Sequence, residues 1–403
     1  MLASAFLAGE WTAPAMAARA RRALGRRAWF VRIAAEVLVA YPHPPADRPR
    51  ELASHIEAIL GDVRRPPRVR HEPVAHPQMA PRRWPVPEID TVGDLAERLE
   101  LDHGQLAWLA DVKGLERTAA DERLRNYRYS RHPRKAGPPR VIERPKQRLK
   151  EIQRWILREL LFWIPVHDAA HGFVRGRSAH THAAPHVGRH VVVRLDLEDF
   201  FAAVTAGRVY GIFRTAGYPE AVAHTLTGLC TNVVPDRESV AGHFRLARRL
   251  ATPHLPQGAP TSPALANLAA FRLDGRLSTL AAHLGATYTR YADDLVLSAD
   301  HHLRLPDLAA IAADEGFRLN ARKTRIMGRG GRQTVTGIVV NARPNVARQD
   351  YDELKAILHR ARLDGPGELD PAHLLGRIAW VASLHPQRGA KLRAGFDAIT
   401  WSA

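Results

Sequence analysis

Ala286-Thr287-Tyr288-Thr289-Arg290-Tyr291-Ala292-Asp293-Asp294-Leu295-Val296-Leu297-Ser298 sets two adjacent carboxylates between two runs of β-branched, aromatic and aliphatic residues. Such runs on either side of a short polar centre predict a β-hairpin whose turn carries the acidic pair. Two neighbouring carboxylates repel each other and are costly unless a cation neutralises them. Hard oxygen donors favour Mg²⁺ as that cation. Taken alone, such a pair is more often a solvated Asp-Asp turn, so the rest of the chain has to decide.

A third carboxylate lies about a hundred residues upstream, in His190-Val191-Val192-Val193-Arg194-Leu195-Asp196-Leu197-Glu198-Asp199-Phe200-Phe201. The valine run predicts a buried strand with Asp196 at its end. That strand and the later hairpin can bring Asp196, Asp293 and Asp294 to one edge of a sheet. Two Mg²⁺ ions roughly 4 Å apart in such a cluster activate a hydroxyl and stabilise the leaving group of an in-line displacement. This is the chemistry of nucleotide polymerisation.

Several segments, in order, resemble the palm motifs of reverse transcriptases. They are residues 195–201, then Leu255-Pro256-Gln257-Gly258-Ala259-Pro260-Thr261-Ser262-Pro263, then Tyr291-Ala292-Asp293-Asp294. Gly316-Phe317-Arg318-Leu319-Asn320 leading to Lys323-Thr324 continues the series, and Val335-Thr336-Gly337 is typical of the retron group. The resemblance implies that Asp196, Asp293 and Asp294 hold the metals, with the backbone carbonyl of Leu197 as a further ligand. It makes Phe201 the aromatic that abuts the sugar of the incoming nucleotide and disfavours a 2′-hydroxyl. A core role for Phe201 is the alternative, although Phe200 suits that duty better. Gln257 would contact nucleotide and template, and Gly258 would let backbone approach closely. Lys323 would protonate departing pyrophosphate, unless it is a solvated surface lysine. The pattern assigns Glu198 and Asp199 no metal.

Lys135-Ala136-Gly137-Pro138-Pro139-Arg140-Val141-Ile142-Glu143-Arg144-Pro145 resembles the family's fingers hairpin. Arg140, and less directly Lys135, would touch the triphosphate, where a planar bidentate donor is well suited. Leu149, Ile152, Trp155, Ile156, Leu160 and Trp163 follow helical spacing and read as a core face. His171-Gly172-Phe173-Val174-Arg175-Gly176-Arg177-Ser178 matches the segment before the first Asp strand. Retron enzymes usually follow it with Asn-Ala-x-x-His; here the segment reads His182-Ala183-Ala184-Pro185-His186, with His182 in place of the Asn. The histidines clustered here lack accompanying cysteines and ligand spacing, so no zinc site is expected.

The resemblance implies an α+β right-hand polymerase fold: fingers, an antiparallel-sheet palm and a helical thumb, preceded by an N-terminal helical extension. The expected divisions are 1–90 (helical, then a Pro-rich linker with one helix near 51–60), 91–340 (fingers and palm) and 341–403 (thumb). Thr91 should cap a helix starting at Val92, with Asp94 at its third position. Small helices including Leu106, Leu109 and Val112 should follow. In the thumb, Asp350 should cap a helix with Leu354, Ile357, Leu358 and Ala361 on one face, and Leu374, Ile378, Val381 and Leu384 mark another.

At 403 residues the chain can bury a full core. Its 59 Lys and Arg against 41 Asp and Glu give a charge of +18, which suits a polyanionic partner. Residues 121–160 hold 13 basic and 5 acidic side chains, a surface fit to track phosphates. Arg19, Arg21, Arg22, Arg26 and Arg27 precede Phe30, Ile33, Val37, Leu38 and Tyr41, which reads as a basic helix with one apolar face, packing on the enzyme body or on RNA. Residues 1–9 make a poor secretory signal. Cys230 is the single cysteine, so no intrachain disulfide can form and a cytoplasmic location is expected. No stretch reaches the length of a membrane span.

The expected function is that of a retron-type RNA-directed DNA polymerase using two Mg²⁺ ions. It would copy part of a structured noncoding RNA, from deoxynucleoside triphosphates, into RNA-linked single-stranded DNA (msDNA). The family's role is antiphage defence, usually beside a separate effector protein; Val335, Thr336 and Gly337 are then candidate RNA contacts. A group II intron-like reverse transcriptase is the alternative, although residues 338–403 make room for a thumb and not for an added endonuclease module. A second alternative is an RNA-binding defence scaffold in which synthesis is dispensable.

Overall fold

In a computed structural model the described residues are 1–61, 69–71, 73–134, 137–235, 240, 242–303 and 308–401. They form two compact units, each built from two stretches of chain. The first comprises 1–165 with 204–265, and the second 166–203 with 266–403. Neither residue 90 nor residue 340 divides one unit from the other.

The first unit begins with helices α1 (Leu2–Leu7), α2 (Ala13–Leu24), α3 (Phe30–Ala40) and α4 (Pro49–Leu60). In α3 the buried residues Phe30, Ile33, Ala34 and Val37 recur at helical spacing, the stripe that closes a small core with Phe6, Met16, Leu52 and Ile56. This layer is tied to the rest of its unit. The Glu220 carboxylate accepts the backbone N–H groups of Arg50 (2.9 Å) and Glu51 (3.3 Å) in the first turn of α4, and Arg214 pairs with Asp47 at 2.8 Å.

Further along, Thr91 accepts the Asp94 N–H while Asp94 returns a bond to the Thr91 N–H, a full capping box for the helix Val92–Arg98. Leu106 and Leu109 are buried as expected, but Val112 lies beyond the helix His103–Leu109 and is 71% exposed. β1 (Tyr127–His132) and β2 (Arg140–Pro145) pair antiparallel as the fingers hairpin. The α-helix expected through Trp163 runs only over Gln147–Trp155, then passes into a π turn (Ile156–Leu160) and a 3₁₀ turn (Leu161–Trp163). Changing the pitch changes the phase: Leu149, Ile152, Ile156 and Leu160 stay buried, while Trp163 is turned outward.

The second unit holds β3 (Val191–Asp196), β4 (Thr287–Tyr291), β5 (Asp294–Ala299) and β6 (Arg325–Gly328) in one antiparallel sheet of order β4-β5-β3-β6. β7 (Thr334–Val335) and β8 (Ile338–Val339) form a short hairpin. Val192 and Val296 from the sheet, Val335 and Ile338 from that hairpin, and apolar faces of the helices Arg348–Asp364, Pro371–Leu384 and Pro386–Asp397 share one core. Asp350 stands in the first turn of its helix, whose N-cap is Ala347. The helix Pro386–Asp397 was not anticipated.

Candidate active site

The register of the sheet brings the acidic residues together. β3 pairs with β5 so that Asp196 lies opposite Asp294, each at the end of its strand. Asp293 sits in the turn, and its carbonyl accepts the Leu197 N–H at 2.9 Å. Beyond Asp196 the chain bridges to Leu319, with Asn320 N–H donating to the Asp196 carbonyl at 2.8 Å. The Leu197 carbonyl accepts no hydrogen bond among the described residues.

Two cations attend these carboxylates. Lys323 Nζ donates to Asp196 Oδ2 at 2.7 Å, and Arg194 Nε lies 3.7 Å from Asp294 Oδ1. Burial pushes the Asp294 carboxyl up to about 6; Arg194 opposes this, and the like charges of Asp293 and Asp196 add to it. Among the described residues no group of three or more acidic, His or Cys side chains is gathered closely enough to hold a metal as it stands. The donor set nevertheless suits a hard divalent cation: carboxylate oxygens and a carbonyl that accepts no hydrogen bond among the described residues, at one strand end.

The turn is held from beneath by a buried network. Arg290, fully buried, donates to Asp274 Oδ1 and Oδ2 (2.8 and 2.6 Å), to Asn267 Oδ1 (2.9 Å) and to the Ala292 carbonyl (3.0 Å). The last bond pins a residue in left-handed conformation, Ala292 at φ 55°. Asn267 in turn donates to the Gly172 carbonyl at 2.9 Å. Gly172 packs so tightly that a Cβ there would lie 2.5 Å from the Ala292 nitrogen. Arg290, Asp274, Asn267 and Gly172 were not anticipated as site residues. A charged residue inside a strand otherwise made of threonine and tyrosine was the available signal at Arg290.

Phe200 is buried against Phe317, with Arg290 over its ring, so it takes the core role. Phe201 is half-buried and its ring faces the exposed Phe173 at 6.1 Å. Glu198 pairs with Arg318 at 3.3 Å, away from a ligand role. His182 and His186 are buried rather than presented to a partner. His186 bridges Ser298 Oγ and Thr289 Oγ1, both at 2.7 Å, and His182 Nδ1 shares Thr289 Oγ1 at 2.7 Å. The segment that carries His182 in place of Asn thus braces β4 and β5. Val335 is a correction: its side chain is fully buried in the second unit's core and cannot touch RNA. Thr336 is half-buried, and Gly337 is the exposed residue of that turn.

Arg140, Gln257 and Gly258 belong to the first unit; Lys135 lies outside the described residues. Arg140 opens β2 and is exposed. The loop of Gln257 and Gly258 is fastened to β2 by Glu143, whose N–H donates to the Gln257 carbonyl at 2.9 Å. The Glu143 carboxylate is buried, 3.1 Å from His254 Nε2 and 2.8 Å from Asn232 Nδ2. Burial alone would depress His254, but Glu143 beside it overrides this and raises its pKa. Gly258 has φ 131°, and a Cβ there would lie 2.9 Å from the Glu143 carbonyl oxygen, so glycine is required. Glu143, Asn232 and His254 are further residues that sequence reasoning missed.

An antiparallel sheet with paired carboxylates at one end of β3 and β5 is the arrangement the palm motifs imply. Residues 132–356 match the family described as reverse transcriptase (RNA-dependent DNA polymerase), and the chain belongs to that family. It is 44% identical over 278 residues to the retron Mx65 reverse transcriptase of Myxococcus xanthus, a match covering 67% of this chain and 64% of that protein. It is 38% identical over 339 residues to the retron Mx162 reverse transcriptase of the same organism, covering 78% and 68% respectively. Against the retron Ec86 reverse transcriptase of Escherichia coli it is 33% identical over 281 residues, covering 68% and 80%. Within the family, the chain is of the retron type. No helix among the described residues is long and apolar enough to cross a membrane.

Proposed function

We propose that the protein copies part of a dedicated structured noncoding RNA into DNA that stays linked to it, acting in the cytoplasm in antiphage defence. The observation that carries the reading is the register pairing of Asp196 with Asp294, with Asp293 next in the turn. Those three carboxylates and the Leu197 carbonyl would hold Mg²⁺, two ions by the family pattern, supplying hydroxyl activation and charge neutralisation at the transferred phosphoryl group. Phe201 would exclude a 2′-hydroxyl, and Arg140, Gln257 and Gly258 would receive the deoxynucleoside triphosphate and template. Lys323, about half exposed, brings an ammonium beside Asp196 that can serve as proton donor. A single buried cysteine is consistent with a reducing compartment. Division of labour with a separate effector protein, as in the family, completes the reading.

The test is primer extension on a structured RNA template by the Asp293→Asn, Asp294→Asn protein. Loss of all product is expected, and retained synthesis refutes the metal assignment.

One observation favours the scaffold reading: Lys323 and Arg194 already sit on two of the carboxylates. Phage protection by the same inactive variant, equal to that of the parent, would decide for it.

A further inference from the structure

The matched family region begins at residue 132, and the four-helix layer that opens the chain has no part in the chemistry above. Between Glu10 and Glu36 this layer carries Arg19, Arg21, Arg22, Arg26, Arg27 and Arg32, and no acidic residue. These arginines are not equivalent. Arg19 is structural: its guanidinium donates to the carbonyls of Ala5 (2.8 Å), Phe6 (2.7 Å) and Glu10 (2.7 Å) and so closes the end of α1. Arg32 lies 3.7 Å from Glu36. Arg21, Arg22, Arg26 and Arg27 are all exposed, and none has a carboxylate, carbonyl or ring partner among the described residues.

Their placement is fixed by packing. α2 buries Met16, Ala17, Ala20, Ala23 and Leu24, which turns Arg21 and Arg22 outward in its last turn. Gly25 ends the helix, and Arg26 and Arg27 follow at once. Arg70 is brought to the same end: its backbone N–H donates to the Ala23 carbonyl at 2.8 Å and its side chain lies against Gly25. A helix C-terminus attracts cations, but that attraction fades beyond the last turn. It does not account for Arg26 and Arg27. Four guanidiniums within seven residues, with no partner among the described residues, repel one another unless a polyanion neutralises them.

Resting on the reading that the protein's partner is a structured RNA, we propose that Arg21, Arg22, Arg26 and Arg27 form a docking surface for the phosphate backbone of duplex RNA. The choice of duplex over single strand rests on what is missing from the surface. Single-strand platforms interleave basic groups with exposed aromatic rings that stack on bases. The aromatic neighbours here, Trp29 and Phe30, pack edge to face at 4.5 Å and belong to the core of the layer. Phosphates of a stem, recognised by shape and charge, match a purely cationic face.

The test uses the full chain and two probes, a 20-base-pair RNA duplex and a uridine 20-mer, bound across 50–200 mM KCl. Each phosphate neutralised contributes about −0.9 to the slope of log K against log salt on B-form DNA, a guide for duplex RNA. Replacing Arg21, Arg22, Arg26 and Arg27 by Gln should flatten the duplex slope by about 3 to 4, leave the uridine slope nearly unchanged, and leave extension of a short primed template intact. Replacing the four by Lys should restore the duplex slope, which separates charge from misfolding. An unchanged duplex slope, as for a surface that meets an acidic protein instead, overturns the proposal; so does an equal loss on both probes. Failure of the parent protein to extend any primer counts against the proposed function and leaves the binding measurement to stand on its own.

Discussion

Replacing Gly172 by Ala should cripple synthesis while leaving the protein folded. The backbone at Gly172 lies outside the left-handed region, so alanine is conformationally permitted and the obstacle is contact alone. The new Cβ would sit 2.5 Å from the Ala292 nitrogen, 3.1 Å from the Tyr291 carbonyl carbon and 3.3 Å from the Tyr291 Cα. Ordinary contact begins near 3.4 Å, so the strand end must retreat by about 0.9 Å. Backbone on one side faces backbone on the other, and no flexible side chain can yield instead. Overpacking of this kind costs about 1–3 kcal/mol, a modest loss of melting temperature. The residues displaced are those directly before Asp293, and a shift of about 1 Å at reacting groups can cost on the order of a hundredfold in rate. Steady-state primer extension on an RNA template should show kcat down by about a hundredfold, with far-ultraviolet circular dichroism unchanged. Gly275→Ala is the control, since nothing lies within 4 Å of a Cβ there and the glycine is inside a helix; it should be neutral or slightly stabilising. A Gly172→Ala protein with kcat within twofold of the parent would refute the claim that this contact positions the acidic turn.

His182→Asn should keep activity and match or exceed the parent in melting temperature: His182 Nε2 is buried without a partner, and such an orphaned group costs about 1–3 kcal/mol. A large fall in stability on that substitution would show that the imidazole volume, not its polarity, matters here. Stability should also depend on pH through His182 and His186. Burial lowers both to about 3, with neighbouring positive charge adding to the effect. The unfolded chain therefore binds protons from about pH 6.5 downward while the folded chain does not, so stability is complete above 6.5 and declines as pH falls. Two such groups give a slope of roughly 2–3 kcal/mol per pH unit at 25 °C. Thermal melts between pH 7 and 5 should show it, and a flat profile would contradict the neutral, buried state of this pair.

Much of the architecture could be read from local pattern. The valine run of β3, the β-branched, aromatic and aliphatic runs on either side of Asp293 and Asp294, and the capping box at Thr91 each follow a composition or a cap that neighbours along the chain dictate. The stripe of Leu374, Ile378, Val381 and Leu384 likewise announced its helix. Pattern misled where pitch changed, as at Trp163, whose exposure follows from π and 3₁₀ turns that no apolar spacing reveals. Val335 misled in another way, because motif membership says nothing of which face a short hairpin presents.

The order of acidic, glutamine and lysine motifs along the chain was enough to name the family, because those residue types are dictated by the reaction. What the residues beneath them do was a matter for the tertiary structure alone. Arg290 is one arginine among many until the fold encloses it with Asp274 and aims it at the Ala292 carbonyl, and Glu143 is one strand residue until His254 and Asn232 close around it. Burial gives a charge its purpose, and which carboxylate or carbonyl a buried arginine meets is decided only when the chain is packed.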